Sequence, residues 1–551
     1  MNAPVARPAA TKTTCPYCGV GCGVQARPDA NGGTTIIGDP DHPANFGKLC
    51  SKGFALDETL SLNGRLLHPK LRRADGSYAD VDWDTALANV ADGFKRIVER
   101  DGPGAVAFYL SGQLLTEDYY AFNKLARALV GTHNIDSNSR LCMSSAVVGY
   151  KRSLGADAPP CSYEDIEQAD VLLIAGSNMA YAHPVLFRRL EAAKAARPEM
   201  RVIVVDTRRT DTAELADLHL SIRPGSDVAL FHGLLYLLLR EGWIDSAFIA
   251  AHTEGFGSLA ALVHDYPPAR VAELCGITPE QLFDCARMIG LAPSFLSLWC
   301  MGLNQSTAGS AKNSALINLH LATGQIGRPG CGPFSLTGQP NAMGGRETGT
   351  LANLLPGHRD AANPKHRAEV AAYWGIERLP EVPGLPAVEL FDAVRSGQIK
   401  ALWIVCTNPA QSLPDQHAVH QALATCPFVV VQEAFATTEE PGGDHARVLG
   451  RDLDHVHQHD TGPQQTEVGE QVHGVAPRRL DLGELAQGDR DRSRARGDRL
   501  ELARRLGDVR DDREALGAGQ LVERAVERRR DGVRRVRRDA DAHERRGLGA
   551  M

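Results

Sequence analysis

Four cysteines near the amino terminus have a spacing that suits metal chemistry. Three of them share the stretch "CPYCGVGCGV", and the fourth follows in "KLCSKG": Cys15, Cys18, Cys22 and Cys50. Thiolates on one tight loop, joined by a ligand from a distant segment, can hold the corners of an iron–sulfur cluster. A four-cysteine zinc site is the alternative, but such sites usually use two matched cysteine pairs, and the second pair is missing here. Three glycines let the loop turn without Cβ clashes: Gly19, Gly21 and Gly23.

Residues 66–440 must position the ligand or reaction centre with which this cluster works. Short apolar runs there end in Gly, Asn, Thr or Asp, and helical patterns separate them: "DVLLIAGSN", "RVIVVDTRR", "SFLSLWCMGLNQ", "ALWIVCTNPAQ" and "PFVVVQEAF". This alternation predicts an α/β fold with parallel sheets, whose ligands bind beyond the carboxyl ends of the strands. For any one loop, a simple turn is the alternative, but five such loops favour one large shared ligand.

Length and composition exclude several classes of protein. The chain has 551 residues, enough for several domains, and 43% of them are hydrophobic. A formal net charge of -7 argues against nucleic-acid binding, which needs clustered basic charge. The start "MNAPVARPAATKTT" has no apolar segment and no twin arginine, and runs such as "LFHGLLYLLL" are too short for a bilayer span of ~20 residues. We therefore expect a cytoplasmic protein with reduced thiols, without a membrane or nucleic-acid partner.

The chain changes character near residue 440. Residues 441–551 contain no Lys, Ile, Phe, Tyr, Trp, Asn or Cys, but 23 Arg. A segment without aromatic residues or Ile buries too little apolar area to offset its chain entropy. We expect a disordered or non-native tail with no recognisable fold, which is either a natural charged segment or a product of out-of-frame translation.

The stretch "CPYCGVGCGV…GKLCSKG" resembles the N-terminal cluster domain of the prokaryotic molybdopterin-guanine-dinucleotide oxidoreductases, which include nitrate reductases and formate dehydrogenases. The resemblance extends over residues 12–440, because further motifs follow in the family's order. It implies a [4Fe–4S] domain at 12–65 and a catalytic region at 66–440. An inner dinucleotide-binding-like subdomain is implied at about 150–330, together with molybdenum held by two molybdopterin guanine dinucleotides (bis-MGD).

The stretch "SNSRLCMSSAVVGYKRSLG" lies where this superfamily carries its protein ligand to molybdenum. The resemblance makes Cys142 that ligand, and a thiolate is a suitable soft, anionic donor. A small buried hydrophobe is the alternative, and it is the role we expect for the seven remaining cysteines. Formate dehydrogenases carry His at the next position, whereas Met143 matches assimilatory and periplasmic nitrate reductases.

Two cations are implied at the reaction path. In "CSKG", the resemblance places Lys52 between cluster and pterin, where it stabilises the added electron; a solvated surface lysine is the alternative. In "GQPNAMGGRETGTLANLLPGH", it makes Arg346 face the molybdenum and orient a planar oxyanion. The alternative for this arginine is a cofactor phosphate or a structural carboxylate such as Glu347.

Further residues match loops that hold the two dinucleotides in the family. Carboxylates there suit ribose hydroxyls or guanine N–H groups, and arginines suit phosphates. The implied contacts are Gln113, Asn138, Gly176, Ser177, Asn178, His183, Asp206, Thr207, Arg208, Gly225, Ser226, Asp227, Met301, Gln305, Asn408, Gln432 and Glu433.

The resemblance implies reduction of nitrate to nitrite by oxygen-atom transfer, in nitrate assimilation. Electrons would pass through the [4Fe–4S] cluster from a ferredoxin, a flavodoxin or an NAD(P)H-linked flavoprotein. Formate oxidation is the enzymatic alternative, which Met143 disfavours, and an inactive fragment that keeps only the cluster is the non-enzymatic one. Relatives continue with a C-terminal β-barrel domain that closes over both nucleotides, and nothing like it is recognisable after Glu440. We therefore expect this polypeptide to hold its cofactors poorly and to have little activity.

Overall fold

The computed structural model describes residues 10–29, 33–435 and 445–447. The strands of these parts of the chain are β1 (Thr11–Thr14), β2 (Gly23–Pro28), β3 (Thr34–Gly38), β4 (Lys70–Arg72), β5 (Tyr78–Asp80), β6 (Val106–Leu110), β7 (Ile135–Ser137), β8 (Val171–Ala175), β9 (Arg201–Asp206), β10 (Leu218–Ser221), β11 (Phe295–Trp299), β12 (Gly332–Ser335), β13 (Leu354–Leu355), β14 (Arg359–Asp360), β15 (Ala401–Val405), β16 (Phe428–Gln432) and β17 (His445–Arg447).

The helices are α1 (Ser51–Phe54), α2 (Trp83–Asp101), α3 (Thr116–Lys124), α4 (Ser139–Leu154), α5 (Asp165–Gln168), α6 (Met179–Ala182), α7 (Pro184–Ala196), α8 (Asp227–Arg240), α9 (Ser246–His252), α10 (Phe256–Val263), α11 (Pro268–Cys275), α12 (Pro279–Gly290), α13 (Met301–Asn304), α14 (Gly309–Ala322), α15 (Ala342–Glu347), α16 (Pro364–Trp374), α17 (Ala387–Arg395), α18 (Pro409–Ser412) and α19 (Gln416–Thr425). A π-helix at Leu125–Val130 continues α3, and 3₁₀ turns lie at Ala55–Leu60, Pro103–Ala105 and Asp211–Leu215.

One parallel sheet is built from a continuous part of the chain, in the order β10-β9-β8-β11-β12. Its central strands β8 and β11 are buried along their whole length, as expected for a sheet covered on both faces. Alternate residues point to opposite faces. Leu173 packs into a core with α8, α12 and α14, while its neighbour Leu172 packs into a core with α7 and the cysteine loop.

A second sheet has the order β5-β4-β17-β16-β15-β6-β7 and is parallel from β17 to β7. The chain leaves this sheet after β7, forms the first sheet, and returns at β15, so that Val106 pairs with Ala401. Strands β4 and β5 extend the edge in antiparallel fashion. Near the amino terminus, β1, β2 and β3 form a small antiparallel sheet that precedes α1.

The predicted α/β class with parallel sheets and a small N-terminal domain is confirmed. All five quoted runs form parallel strands: β8, β9, β11, β15 and β16. The predicted domain boundaries stay predictions. The tail predicted at 441–551 lies outside the described residues, apart from the three residues of β17. In the part of the chain that the structure describes, no helix is both long and apolar enough to cross a membrane.

Candidate functional site

The loop between β1 and β2 carries the first three cysteines and folds tightly on itself. The Cys15 N–H donates to the Cys22 carbonyl at 2.8 Å, and the Gly21 N–H donates to the Cys18 carbonyl at 3.2 Å. Gly21 has φ of +66°, a left-handed conformation that glycine adopts without steric cost. Cys50 stands immediately before α1 and supplies the fourth thiol.

The other two glycines allow close approach to neighbouring groups and have ordinary φ angles. A Cβ at Gly19 would lie 1.9 Å from the Thr337 carbonyl oxygen, and one at Gly23 would lie 2.3 Å from the His42 ring. The Gly19 N–H also donates to the Gly338 carbonyl at 3.0 Å. The cysteine loop is therefore pressed against the segment that follows β12.

The four thiols share one partly buried space. Cys15 and Cys22 are buried, whereas Cys18 and Cys50 are half-buried. Burial, together with the neighbouring thiols, raises the pKa of Cys15 to about 11 and that of Cys22 to about 12. Among the residues described, no three His, Cys, Asp or Glu side chains converge on one metal ion. A multi-iron cluster takes each thiolate at a different corner, which is the arrangement that the cysteine spacing predicts.

Lys52 lies exposed on α1, close to the cysteine loop. Burial raises the pKa values of Cys15 and Cys18, and the Lys52 charge opposes that effect at both. A cation close to a cluster also stabilises an electron that is added to it. The position of Lys52 between the cluster and the pterin stays a prediction.

Cys142 lies in the first turn of α4, which follows β7 directly. Burial raises the pKa of its thiol, while the backbone N–H groups of Gly338 and Gln339 and the Arg346 guanidinium oppose that effect. A Cβ on Gly338 would stand 3.7 Å from the Cys142 sulfur. Donors and positive charge directed at a sulfur are what a thiolate ligand requires. These surroundings fit a metal ligand better than a small core residue.

Two methionines flank this thiol. The Met143 sulfur accepts from Asn304 Nδ2 at 3.4 Å and from Ser335 Oγ at 3.8 Å. The methyl group of Met301 would lie 3.6 Å from a Cβ on Gly338, the glycine that also touches Cys142. Met301 therefore lies near the thiol, whereas Met143 contacts Asn304 and Ser335.

A cavity of about 420 Å³ lies between the cysteine loop and α4. Its lining includes Gly19, Met143, His183, Thr337, Gln339 and Arg346. His183 is buried, and its Nε2 donates to the Thr337 carbonyl at 2.7 Å, so Nδ1 is an acceptor. This Nδ1 has no hydrogen-bond partner within the described residues. A buried acceptor without a partner suits an N–H group of a pterin.

Arg346, on α15, pairs with Asp157 and not with the adjacent Glu347. Its Nε lies 2.9 Å from Asp157 Oδ2, and both side chains are buried. The two groups are within ion-pair distance but are not aligned for a hydrogen bond, so Arg346 Nε and Nη1 and both Asp157 oxygens lack hydrogen-bond partners. Nη2 donates to the Met343 sulfur at 2.6 Å. A buried guanidinium with unused N–H groups beside Cys142 is suited to an oxyanion.

Asn138 and Gln339 connect the carboxyl edges of the two sheets. Asn138 Oδ1 accepts from the Gly112 N–H at 2.7 Å and from Gln339 Nε2 at 2.8 Å. Gln113 Nε2 donates to the Pro16 carbonyl at 3.4 Å. Asn138 and Gln113 therefore support the framework of the site. Sequence reasoning missed Gln339, although it lies in the same quoted stretch as Arg346.

The loops after β8 and β9 contain buried hydroxyls without protein partners. Ser177 Oγ and Thr210 Oγ1 are both buried and unpaired within the described residues. Such groups normally bind water or a ligand. The carboxyl edge of the first sheet is therefore suited to binding a polar molecule such as a nucleotide. Gly176, with φ of +54°, packs against Gly302 here. The sequence predicts a nucleotide-holding loop over "DTRRT", which includes Thr210, but Thr210 is not among the individual contacts predicted there.

Other predicted contacts at this edge are held by local hydrogen bonds. Asn178 Oδ1 accepts from Thr212 Oγ1 at 3.0 Å, and Asp206 Oδ1 accepts from the following N–H at 2.7 Å. Ser226 Oγ donates to the Arg223 carbonyl at 2.7 Å. Four more predicted contacts are exposed: Thr207, Arg208, Gly225 and Gln305.

The remaining predicted contacts lie on different elements. Asp227 begins α8 and pairs with Lys312, which sequence reasoning missed. Asn408 follows β15, and Gln432 and Glu433 lie at the end of β16, at the carboxyl edge of the second sheet. The structure therefore places Met143, His183 and Arg346 around one cavity, with Cys142 next to Gly338 and close to Arg346, and distributes the other contacts over two sheet edges. The individual roles stay predictions.

Comparison with known proteins agrees with these features. Residues 8–61 match the family described as the molybdopterin oxidoreductase Fe4S4 domain, and residues 65–441 match the molybdopterin oxidoreductase family. The fold resembles acetylene hydratase from Pelobacter acetylenicus, with a TM-score of 0.63 and 21% identity over 77% of this chain and 60% of that one. At this identity the likeness shows the fold alone.

Several curated relatives are nitrate reductases. One from Klebsiella oxytoca is 52% identical over 437 residues, 79% of this chain and 49% of the relative. One from Synechocystis sp. is 47% identical over 449 residues, 80% of this chain and 63% of the relative. An assimilatory nitrate reductase from Haloferax mediterranei is 40% identical over 427 residues, 77% of this chain and 58% of the relative. The chain thus spans about half to two thirds of the length of these relatives.

The cofactors of this family, molybdopterin and an Fe4S4 cluster, match the cavity beside Cys142 and the four-cysteine loop. By its sequence matches and its fold, the chain belongs to the molybdopterin oxidoreductase family.

Proposed function

We propose that this chain reduces nitrate to nitrite in nitrate assimilation. The observation that carries this proposal is the buried Arg346, which lines the cavity with Met143 and whose Nη1 has no hydrogen-bond partner among the described residues. The relatives called nitrate reductases support the choice of substrate, and the assimilatory one supports the pathway.

The residues around the cavity bind and orient the anion. Arg346 attracts nitrate and fixes its plane through two N–H groups. Asp157 Oδ2 lies 2.9 Å from Arg346 Nε, where it fixes the guanidinium and offsets part of its charge. Met143 supplies an apolar wall that limits the water around the anion. When bound, the molybdenum–pterin group supplies the two-electron oxygen-atom transfer, and two protons complete the conversion of nitrate to nitrite and water.

Electrons reach the cavity from the cysteine loop in this proposal. The cluster is held by Cys15, Cys18, Cys22 and Cys50, and Lys52 stabilises its reduced state. A ferredoxin, a flavodoxin or an NAD(P)H-linked flavoprotein in the cytoplasm is the donor class that we propose.

The test is nitrite production by the purified full chain with a reduced dye as donor, alongside assays of iron and molybdenum. We expect nitrate-dependent dye oxidation that is low, in proportion to the poor cofactor retention expected of this polypeptide, and that Arg346→Gln abolishes. Arg359→Gln is the matched control, because Arg359 forms a half-exposed pair with Glu369 at 2.8 Å and should leave activity unchanged. Formate-dependent dye reduction would instead support the formate dehydrogenase alternative. Iron and sulfide without molybdenum would support a fragment that keeps only the cluster.

A further inference from the structure

A buried lysine lies among the loops at the carboxyl edge of the first sheet. Lys312, on α14, has a side chain that is only 5% exposed, and its Nζ lies 2.7 Å from Asp227 Oδ2. A buried ammonium is costly unless it is paired and hydrogen-bonded. The Asp227 carboxylate meets that need, and the same nitrogen lies 3.4 Å from the Gly302 carbonyl.

These contacts join three strand-end loops. Asp227 follows β10, and Gly302 follows β11. The Gly302 N–H donates to the Gly176 carbonyl, after β8, at 2.9 Å, and a Cβ on Gly302 would lie 2.6 Å from the Gly176 Cα. The unpaired hydroxyl of Ser177 lies next along the chain. The lysine therefore lies where the loops predicted to hold a nucleotide are tied together.

The pairing defines what Asp227 can offer a ligand. Lys312 contacts Oδ2 at 2.7 Å, so Oδ1 is the oxygen that this ion pair leaves unengaged. The ion pair therefore fixes the orientation of the carboxylate and leaves one oxygen for a hydroxyl or N–H group of a ligand.

We propose that Lys312 is a positioning residue of the nucleotide site, which fixes the orientation of the Asp227 carboxylate toward the guanine nucleotide of the cofactor. This inference concerns the dinucleotide and does not depend on nitrate as the substrate.

A second lysine–aspartate pair offers a matched comparison at the opposite edge of the same sheet. Lys194 Nζ lies 2.6 Å from Asp217 Oδ2 and donates to the Met200 carbonyl at 2.9 Å, next to the amino ends of β9 and β10. The pair has the same chemistry, but it is remote from the strand-end loops. A lysine with a merely structural role should behave as Lys194 does.

The test measures GDP binding by calorimetry to the full chain, produced without molybdate, and its variants. We expect Lys312→Met to weaken GDP binding about tenfold or more, equivalent to the loss of one charge-assisted contact. Lys312→Arg should retain binding, and Lys194→Met should lower the melting temperature without changing the affinity. Circular dichroism verifies folding, and Lys312→Gln replaces the methionine variant if that variant unfolds.

Two results would overturn the proposal. One is GDP binding by folded Lys312→Met or Lys312→Gln with wild-type affinity. The other is absence of GDP binding by the wild-type chain. Nitrite production is not measured in this experiment, so a failure here is distinct from a failure of the nitrate assignment.

Discussion

Replacing Gly19 by alanine should separate the cysteine loop from the body of the protein. The new Cβ would lie 1.9 Å from the Thr337 carbonyl oxygen and 2.7 Å from its carbon, and both are backbone atoms that cannot rotate away. The loop must therefore move by roughly 1 Å. Overpacking of this kind costs about 1–3 kcal/mol. Loss of the hydrogen bond from Gly19 to Gly338 adds about 1 kcal/mol, for a total of about 2–4 kcal/mol.

Gly21→Ala is the matched control within the same loop. Nothing lies within 4 Å of a Cβ at Gly21, so its cost is only that of a left-handed residue, about 1–2 kcal/mol. This variant strains the loop locally but leaves its contact with the segment after β12 in place. The two glycines therefore distinguish steric contact from backbone conformation.

The assay is hydrogen exchange of residues 335–341, combined with thermal unfolding and iron content. Gly19→Ala should speed exchange in this segment and lower the melting temperature, whereas Gly21→Ala should leave exchange there unchanged. If Gly19→Ala exchanges and melts like the wild type, the close approach of Gly19 to Thr337 is wrong.

Three further predictions follow from buried groups. Cys142→Ser should lose molybdenum but keep its iron in a metal assay, since the four loop thiols are separate from it; equal loss of both metals would contradict this. Asp157→Ala leaves the Arg346 charge buried alone and should cost about 3–5 kcal/mol in denaturant unfolding, whereas Asp392→Ala, which breaks an exposed pair, should have no measurable effect. Burial lowers the pKa of His320 to about 3, against about 6.5 when unfolded. Between these two pH values the unfolded chain binds more protons than the folded one. The contribution of His320 to the free energy of unfolding should therefore be complete above pH 6.5 and fall by up to about 1.4 kcal/mol per pH unit toward pH 3. His320→Gln should flatten that slope, and an unchanged slope would exclude His320 as its source.

Sequence reasoning succeeded where the signal is local. Runs such as "DVLLIAGSN" are dense in β-branched and apolar residues, and they form strands because a sheet covered on both faces selects that composition. The cysteine spacing was equally readable, since three ligands lie within one loop. These features need no knowledge of distant segments.

The missed features depend on contacts between distant segments. Arg346 pairs with Asp157 and not with the neighbouring Glu347, because the buried carboxylate reaches it from the loop after α4. Likewise, the partner of Asp227 is a lysine on α14, which no local pattern identifies. Gln339 gains its importance only when Asn138 is folded against it. Tertiary packing, not residue type, determined these pairings.

The pairing of Val106 with Ala401 has a consequence for synthesis of the protein. At 5–20 residues per second, roughly 15–60 s pass between translation of β6 and translation of the strand that completes its edge. During that interval the growing polypeptide exposes unpaired N–H and C=O groups that can pair with other nascent chains. Slower expression and lower temperature should therefore increase the soluble yield, because fewer unfinished chains meet.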